Sequence, residues 1–311
     1  MKKPDFICIG MQKAGTGTLF DLLSFHESYW MPILKEFHHF DRSKEDKQIP
    51  SSNILRFNNA FKSEEKHQKV NSRRRRKGLR PIDDKDRRFL ELYETYLHSR
   101  APDNLYLELL DFCPKDRLTG DITPAYSTLN TSQIEHIHSV IPWAKIILLV
   151  RDPVSRAWSH MNLWLRQTIC KDMGIKRRDD QLSALMLERL SNDKNIAQFF
   201  KSEIFLRRSF PSVTFKNWRN VYGEDSIKVI IFDEFIKHPD AILDEITTFL
   251  GGAHHPPTGS SDANRKASLP KIPITNEYRK ILVEIFTDEI RECRALFGDK
   301  IDPWLEKHSI S

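Results

Sequence analysis

FICIGMQKAGTGTLFDLL (residues 6–23) joins a short apolar run, a glycine-rich loop and the start of a helical pattern without interruption. The run Phe6–Ile9 predicts a buried parallel strand, and Thr16–Phe25 predicts the helix that follows it. Backbone N–H groups at a helix N-terminus, together with the helix dipole, form an anion site at such a corner. Gly10, Gly15 and Gly17 let the backbone come close to the anion. The stretch therefore predicts an α/β protein that holds an anionic ligand at this loop.

The lysine of this loop stands in the wrong place for a nucleoside triphosphatase. A Walker A loop has the pattern G-x-x-x-x-G-K-[ST]. Gly10 and Gly15 have that spacing, but Thr16 replaces the lysine, and Lys13 lies inside the loop. Only Asp233 follows an apolar run in the manner of a Walker B aspartate. A magnesium-bound triphosphate is therefore poorly supported, and a glycine-rich turn with a solvated lysine is the simplest alternative.

Sulfuryl transfer fits this loop better than phosphoryl transfer. A sulfuryl group carries less charge than a phosphoryl group, so the reaction does not require a metal clamp. One lysine near the bridging oxygen stabilises the leaving phosphate, as preorganised charge does in general. Lys13 is in a position to supply that charge.

A second strand-to-helix corner follows in IILLVRDPVSRAWSHMNLWLR (residues 146–166). Arg151 stands at the end of the predicted strand, and Pro153 is well placed to begin a helix. Ser159 lies about two helical turns after Arg151 and returns to the same side, so the pair suits a phosphate dianion. Ligands of open α/β sheets bind at the carboxyl ends of the strands. The two corners are predicted to flank one nucleotide, and a salt bridge of Arg151 with Asp152 is the structural alternative.

Apolar runs and helical patterns alternate along the rest of the chain, which predicts an α/β fold, a parallel sheet covered by helices on both faces. The other predicted strands are 118–122, 146–150 and 227–232. The other predicted helices are 132–141, 153–165, 182–190, 195–222, 238–250 and 275–296. Residues 42–116 are polar and break this rhythm, so we predict one domain over 1–311 with a helix-and-loop insertion there. A Pro-, Gly- and Ser-rich segment at about 252–275 predicts a late surface loop.

Composition excludes several other classes of protein. The 311 residues include 49 Lys and Arg against 43 Asp and Glu, a net charge of +6 that suits anionic ligands without indicating a nucleic-acid binder. The four cysteines form no C-x-x-C pair, so neither a zinc site nor a disulfide framework is expected. No apolar run is long enough for a signal peptide or a membrane span. We expect a cytoplasmic protein that does not associate with membranes; its oligomeric state is open.

These motifs resemble the sulfotransferases that use 3'-phosphoadenosine 5'-phosphosulfate (PAPS). GMQKAGTGTL (10–19) resembles the family's 5'-phosphosulfate loop, and RDPVSRAWS (151–159) resembles its 3'-phosphate signature. KEFHHFD (35–41), GDITPAYS (120–127) and residues 215–251 are similar, in the same order, to segments of the branch that includes heparan sulfate sulfotransferases and bacterial relatives.

The resemblance implies a P-loop-like fold and direct in-line transfer of a sulfuryl group from PAPS to an acceptor, which leaves 3',5'-adenosine diphosphate (PAP) and needs no metal. The acceptor would be a hydroxyl of a carbohydrate or small natural product. The 5'-phosphosulfate would be held by Lys13, Ala14, Gly15, Thr16, Gly17 and Thr18. The 3'-phosphate would be held by Arg151 and Ser159, with Arg265 and Lys266 of the late loop as further candidates.

Glu36 matches the general base of the glycan branch, and a partly buried carboxylate is chemically suited to take the proton of a hydroxyl. His38 would orient the acceptor or act as base itself. His39 is a weaker candidate, because neighbours in an extended segment point in opposite directions. Thr123, Pro124 and Tyr126 are expected to shape the acceptor cleft. One departure is Ile122, which stands where glycan-branch relatives often have a lysine, so transition-state charge would rest mainly on Lys13.

Several alternatives stay open at this point. The same cofactor site would serve N-sulfation of an amine or amide. A P-loop kinase or NTPase, or a non-catalytic nucleotide- or polyanion-binding protein, would share the fold. The basic run RRRRKGLR (73–80) is interpreted as a solvated surface segment rather than a nucleic-acid or glycan site.

Overall fold

A parallel β-sheet is central to the computed structural model, which describes residues 3–41, 57–76, 79–99, 102–176, 179–192, 196–253 and 269–311. Within these ranges the sheet has four strands: β1 (Phe6–Gly10), β2 (Gly120–Ile122), β3 (Lys145–Val150) and β4 (Ile227–Ile231). Their order is β2-β1-β3-β4, and every neighbouring pair is parallel. The strands predicted from the sequence are therefore confirmed, and so is the α/β fold.

Helices pack around this sheet. In chain order they are α1 (Thr16–Phe25), α2 (Glu64–Arg75), α3 (Asp84–His98), α4 (Asp103–Leu110), α5 (Thr131–Val140), α6 (Pro153–Met173), α7 (Leu182–Asn192), α8 (Ile196–Phe200), α9 (Glu203–Leu206), α10 (Pro211–Tyr222), α11 (Phe232–Lys237), α12 (Pro239–Phe249), α13 (Asn276–Phe297) and α14 (Asp302–His308), and a 3₁₀ helix spans Pro124–Thr128. Within the described ranges, every helix is either too short or too polar to span a lipid bilayer.

The predicted long helix over 195–222 is wrong. The described part of that segment contains α8, α9 and α10 instead. Pro211 begins α10, and Phe210 before it has a non-helical backbone with φ −113° and ψ 79°. A proline has no backbone N–H group and disfavours helical geometry in the preceding residue, so one continuous helix cannot pass through this point.

The strand order places the two predicted anion corners side by side. From β1 the chain first adds β2 along one edge of β1 and then β3 along its other edge. The connections that leave β1 and β3 therefore run in opposite directions across the sheet. Ligands of open α/β sheets bind at such a point. The backbone N–H of Met11, just after β1, donates to the carbonyl of Leu149 in β3 at 2.7 Å, which ties the first loop to the neighbouring strand.

The segment between α1 and β2 contributes α2, α3 and α4 in its described part. Aromatic side chains from these helices pack on the chain that follows α1: the rings of Trp30 and Phe37 lie 6.3 and 6.2 Å from that of Phe89, and Phe37 also lies 5.9 Å from Tyr106. This aromatic cluster packs against residues 35–41 through Phe37 and thereby fixes their position. That the whole chain forms one domain stays a prediction.

Gly120 at the start of β2 leaves no space for a side chain. A Cβ atom added there would lie 2.5 Å from the carbonyl oxygen of Phe6 and 2.6 Å from its ring. Overpacking of this kind costs about 1–3 kcal/mol. We therefore expect Gly120→Ala to lower the free energy of unfolding by that amount, measured by chemical denaturation.

Gly174→Ala is the control for this experiment. No atom lies within 4 Å of a Cβ added at Gly174, whose backbone is left-handed with φ 66°. The substitution should therefore lower the free energy of unfolding only through this backbone conformation, by about 1 kcal/mol. A Gly120→Ala protein that is as stable as the unmodified protein would contradict the close packing of β2 on β1.

Candidate active site

A cleft of about 660 Å³ lies at the carboxyl ends of β1 and β3, where α1 and α6 begin. Its volume is in the range of ordinary small-molecule sites. Among the described residues, Glu36 is the one carboxylate in its lining, whereas eight cationic side chains line it. These are Lys13, Lys35, Arg151, Arg166, Arg208, Lys271, Arg279 and Lys307. Such an excess of positive charge favours a ligand with several negative groups.

The first corner forms the back of the cleft. Gly15 is the N-cap of α1 with φ 98°, and a Cβ added to it would lie 3.0 Å from the ring of Phe232, so glycine is required there. The N–H groups of the first helical turn have no partner inside the helix and point toward the cleft. The N–H of Ala14 donates to the carbonyl of Met11 at 3.1 Å, so this residue shapes the loop. The loop residues in the cleft lining are Lys13, Gly15, Thr16, Gly17 and Thr18.

The second corner opens onto the same cleft. The Arg151 Nη1 atom donates to the carbonyl of Lys13 at 3.0 Å, and its guanidinium lies 4.4 Å from the centre of the Phe232 ring. Burial lowers the pKa of Arg151, although the charges of Asp233 and Asp152 oppose that effect. Ser159 lines the cleft on the same side. The structure therefore brings together Lys13, Arg151 and Ser159.

Asp152 does not neutralise Arg151. Its carboxylate caps α6 by accepting from the N–H of Val154 at 3.0 Å, and it accepts from Lys307 Nζ at 3.0 Å. The Nε2 atom of His308 lies 3.0 Å from the same carboxylate. Burial alone would raise the pKa of Asp152, but His308 and Lys307 hold it well below its ordinary value. The last helix, α14, thus provides the charged and hydrogen-bonding partners of the Asp152 carboxylate.

One face of α6 fixes the chain that precedes α13. The Asn162 side chain pairs with both backbone groups of Ile272, since its Oδ1 accepts from that N–H at 2.8 Å and its Nδ2 donates to that carbonyl at 3.2 Å. Trp158 Nε1 donates to the same carbonyl at 2.9 Å, and Arg166 Nη1 donates to the carbonyl of Pro270 at 2.7 Å. These contacts place Lys271 in the cleft wall. Trp158 lines the cleft as well.

Glu36 stands at the opposite side of the cleft in a short chain of polar groups. The Nε2 atom of His38 lies 3.3 Å from Glu36 Oε2, and its Nδ1 lies 2.8 Å from Asp41 Oδ2. Burial alone would raise the pKa of Glu36, but the hydrogen bond from His38 and the charge of Lys35 lower it to about 2. Glu36 is therefore ionised, and His38 is fixed between two carboxylates.

Lys35 connects the carboxylate side to the first corner. Its Nζ atom lies 2.5 Å from Glu36 Oε1 and 3.4 Å from Thr16 Oγ1. The sequence analysis overlooked Lys35, although it stands directly before Glu36 in KEFHHFD. It also overlooked Arg208, which lines the cleft and donates to Gln12 Oε1 at 3.0 Å.

The predicted acceptor residues separate into two groups. Pro124 lines the cleft, together with Ala125. Thr123 and Tyr126 are fully buried beneath it and lie outside its lining. The side chain of His39 also points away from the cleft, where its two nitrogens lie within 2.8 Å of Tyr96 OH and 2.9 Å of Asp103 Oδ1.

Other sequence candidates lie outside the cleft or outside the described residues. Asp233, the one Walker B candidate, accepts from Trp304 Nε1 at 2.9 Å and does not line the cleft. Arg265 and Lys266 fall outside the described residues. In the part of the chain that is described, no group of three or more His, Cys, Asp or Glu side chains is arranged to hold a metal ion.

Comparisons with known proteins agree on one family. The model of the sulfotransferase family matches residues 4–256, so the chain belongs to that family. Its structure is similar to a sulfotransferase from Alicyclobacillus acidocaldarius, with 19% identity, 98% of this chain and 99% of that chain covered, and a TM-score of 0.57. It is also similar to a sulfotransferase domain from the curacin biosynthetic pathway, with 15% identity, coverage of 92% and 98%, and a TM-score of 0.51. At these identities the two structures support the fold alone.

Asn162 generates a prediction that does not depend on any ligand. Asn162→Leu keeps the size of the side chain but removes both hydrogen bonds to Ile272. Each such bond is worth about 1 kcal/mol, so amide hydrogen exchange at Ile272 should accelerate by about 5- to 30-fold. Asn220→Leu, at an exposed asparagine on α10, should leave that rate unchanged. Equal protection in both variants would show that Asn162 does not hold this segment.

Proposed function

We propose that this sulfotransferase moves the sulfuryl group of PAPS to an acceptor hydroxyl on a carbohydrate or a small natural product. One observation carries the proposal. Lys35 Nζ lies within 3.4 Å of Thr16 at the first corner and within 2.5 Å of the Glu36 carboxylate. The ammonium group of Lys35 thus contacts both the loop that would bind the anion and the carboxylate that would act as base.

The residues of the cleft fit PAPS. The donor carries two anionic groups on one nucleoside, and the cleft has two separate corners that are linked by the hydrogen bond from the Arg151 side chain to the carbonyl of Lys13. The α1 N-terminus with Lys13 suits the 5'-phosphosulfate, and Arg151 with Ser159 suits the 3'-phosphate. Thr16 stands where a Walker A loop has its lysine, and Asp233 is occupied by Trp304. Both features favour PAPS over a magnesium-bound triphosphate.

The chemistry then depends on charge held in place before the reaction. When bound, PAPS supplies the activated sulfuryl group, and the bond between its sulfur and the bridging phosphate oxygen breaks as the acceptor oxygen attacks. Lys13 and the first turn of α1 stabilise the negative charge that develops on the leaving phosphate. Glu36 accepts the proton of the acceptor hydroxyl, and Pro124 and Ala125 bound the space beside it.

Lys35 has a double role in this proposal. In the free protein it neutralises Glu36 and keeps the pKa of that carboxyl low, which makes Glu36 a weak base. An anion at the α1 N-terminus competes for the same ammonium group. As Lys35 turns toward that anion, the pKa of Glu36 rises and Glu36 becomes a stronger base. Lys35 also supplies a second cation near the reacting group, which compensates for Ile122 at the position where relatives often have a lysine.

The decisive experiment combines turnover with cofactor binding. Labelled PAPS and a panel of hydroxylated acceptors should reveal an acceptor for the unmodified protein, and PAP should bind without magnesium. Glu36→Gln should then lower kcat by roughly 100-fold or more with an unchanged Kd for PAP, because only the base is lost. Arg151→Ala should instead weaken PAP binding by about 10-fold or more, since a charge-assisted hydrogen bond is lost.

Different outcomes separate the rival functions. Magnesium-dependent binding of ATP in place of PAP would indicate a kinase or NTPase. PAP binding with no transfer to any hydroxyl or amine would indicate a nucleotide-binding protein without activity. Transfer to amines alone would indicate N-sulfation. Normal turnover of Glu36→Gln would show that another group is the base.

The role of Lys35 predicts a pH effect. The hydrogen bond from His38 and the charge of Lys35 both lower the pKa of Glu36 to about 2; Lys35→Met removes the second of them and keeps the first, so that pKa should rise above about 2. A base is lost as pH falls through its pKa, and kcat/KM reports the groups of the free enzyme. The variant should therefore lose kcat/KM at a higher pH than the unmodified enzyme does as the pH is lowered. Lys115→Met, at an exposed lysine, should leave the profile unchanged; an identical profile for Lys35→Met would contradict the pairing.

A further inference from the structure

The backbone of residues 36–39 has to be held in an unusual shape. Glu36 and His38 line the cleft, whereas the side chains of Phe37 and His39 are buried on the other side. Between them, His38 has a left-handed backbone with φ 55°. A residue other than glycine is uncommon there, and such a conformation persists only when its surroundings enforce it. Some group must therefore fix the backbone on either side of His38.

Two hydroxyl groups do so from beneath the cleft. The N–H of Phe37 donates to Thr123 Oγ1 at 3.1 Å, and the N–H of His39 donates to Tyr126 OH at 3.1 Å. These two N–H groups flank His38 directly. Fixing both of them fixes the peptide groups on which the side chains of Glu36 and His38 depend.

Each hydroxyl can accept from the backbone in this way because its own proton goes elsewhere. Thr123 Oγ1 donates to Asp121 Oδ1 at 2.6 Å, and Tyr126 OH donates to Asp121 Oδ2 at 2.8 Å. A hydroxyl has one proton to donate, so these bonds leave only its lone pairs for the backbone. One carboxylate thus orients two hydroxyls, one with each of its oxygens.

Asp121 is placed to be rigid. It lies on β2, opposite Ile7 of β1, and has no exposed surface. A third hydroxyl, that of Tyr106, donates to Oδ2 at 3.3 Å. Burial raises the pKa of Asp121 to about 6, although the hydrogen bonds from Thr123 and Tyr126 oppose that effect. The hydrogen bonds from Thr123 and Tyr126 thus stabilise the ionised form of a carboxylate that is costly to bury.

We infer that Asp121 is a positioning residue for the reaction: through Thr123 and Tyr126 it holds the backbone that aims Glu36 and His38 into the cleft. The inference rests on the proposed role of Glu36 as base. It also gives Thr123 and Tyr126 a function different from the acceptor contacts expected from the sequence, because their hydroxyls are already occupied beneath the cleft.

Single substitutions at the two hydroxyls test this inference. Tyr126→Phe and Thr123→Val each remove one relay and keep the shape of the side chain. Misplacement of a catalytic group by about 1 Å can cost about 100-fold in rate, so each variant should lose roughly 10-fold or more in kcat. The Kd for PAP should stay within about two-fold, because neither residue contacts the anion corners. Thr123→Ser restores the hydroxyl and should recover kcat.

Matched controls come from hydroxyls that do not reach Asp121. Thr128→Val removes a hydroxyl from the same 3₁₀ helix, where it donates to the carbonyl of Ala125 at 2.9 Å. Tyr222→Phe removes a buried phenol that donates to the carbonyl of Ile141 at 3.4 Å. Both controls should leave kcat unchanged, and the unfolding midpoints of all variants should be recorded.

A double-substitution experiment separates positioning from a general loss of structure. If Thr123 and Tyr126 act mainly through Glu36, then adding Thr123→Val or Tyr126→Phe to Glu36→Gln should lower the residual turnover by much less than the same change lowers kcat of the unmodified protein, since only the effect on His38 remains. Losses that persist fully in the Glu36→Gln background, or that follow a loss of PAP binding, would overturn the inference while the proposed function stands. Full turnover of Glu36→Gln alone would overturn the inference together with the role of Glu36 as base, and this result is visible before the double variants are made.

Discussion

The cleft of this protein depends on the contact between the ends of β1 and β3 and the loops that follow them. The N–H of Met11 donates to the carbonyl of Leu149, and Arg151 Nη1 donates to the carbonyl of Lys13. These two hydrogen bonds join two strand-to-helix corners that are distant in sequence. A strand-to-helix corner is a common anion site, and here two such corners line one cleft at the carboxyl ends of β1 and β3. The aromatic ring of Phe232 lies against both corners, since it contacts the Arg151 guanidinium and occupies the space beside Gly15.

Local patterns made the corners predictable from the sequence. An apolar run, a glycine-rich loop and a helix start follow each other within residues 6–23, and Pro153 marks the second helix start, so strand, turn and helix are all encoded over short distances. The placement of Lys13 and Arg151 in one cleft followed from the rule that parallel strands present their carboxyl ends at the same edge of the sheet. The family followed from the same motifs.

Contacts between distant segments were not predictable in this way. The sequence shows Lys35 beside Glu36, but it does not show that the lysine also reaches Thr16. GDITPAYS suggested a cleft wall, and the structure divides that segment, with Pro124 at the cleft and Thr123 and Tyr126 below it. The side of a short irregular segment that faces the cleft depends on what packs beneath the segment. Here the carboxylate of Asp121 binds the hydroxyls of Thr123 and Tyr126 and holds both side chains below the cleft. The predicted helix over 195–222 was wrong because the helical pattern of that segment was given more weight than the break that Pro211 introduces.

The last helix has a consequence for the corner that follows β3. Arg151 and Asp152 are neighbours in the chain, and an unpaired carboxylate next to that guanidinium would compete with any incoming phosphate. Lys307 and His308 occupy the carboxylate instead. The C-terminal helix therefore keeps the carboxylate of Asp152 engaged, so the neighbouring guanidinium remains available to a ligand, and Lys307 adds its own positive charge to the wall of the same cleft.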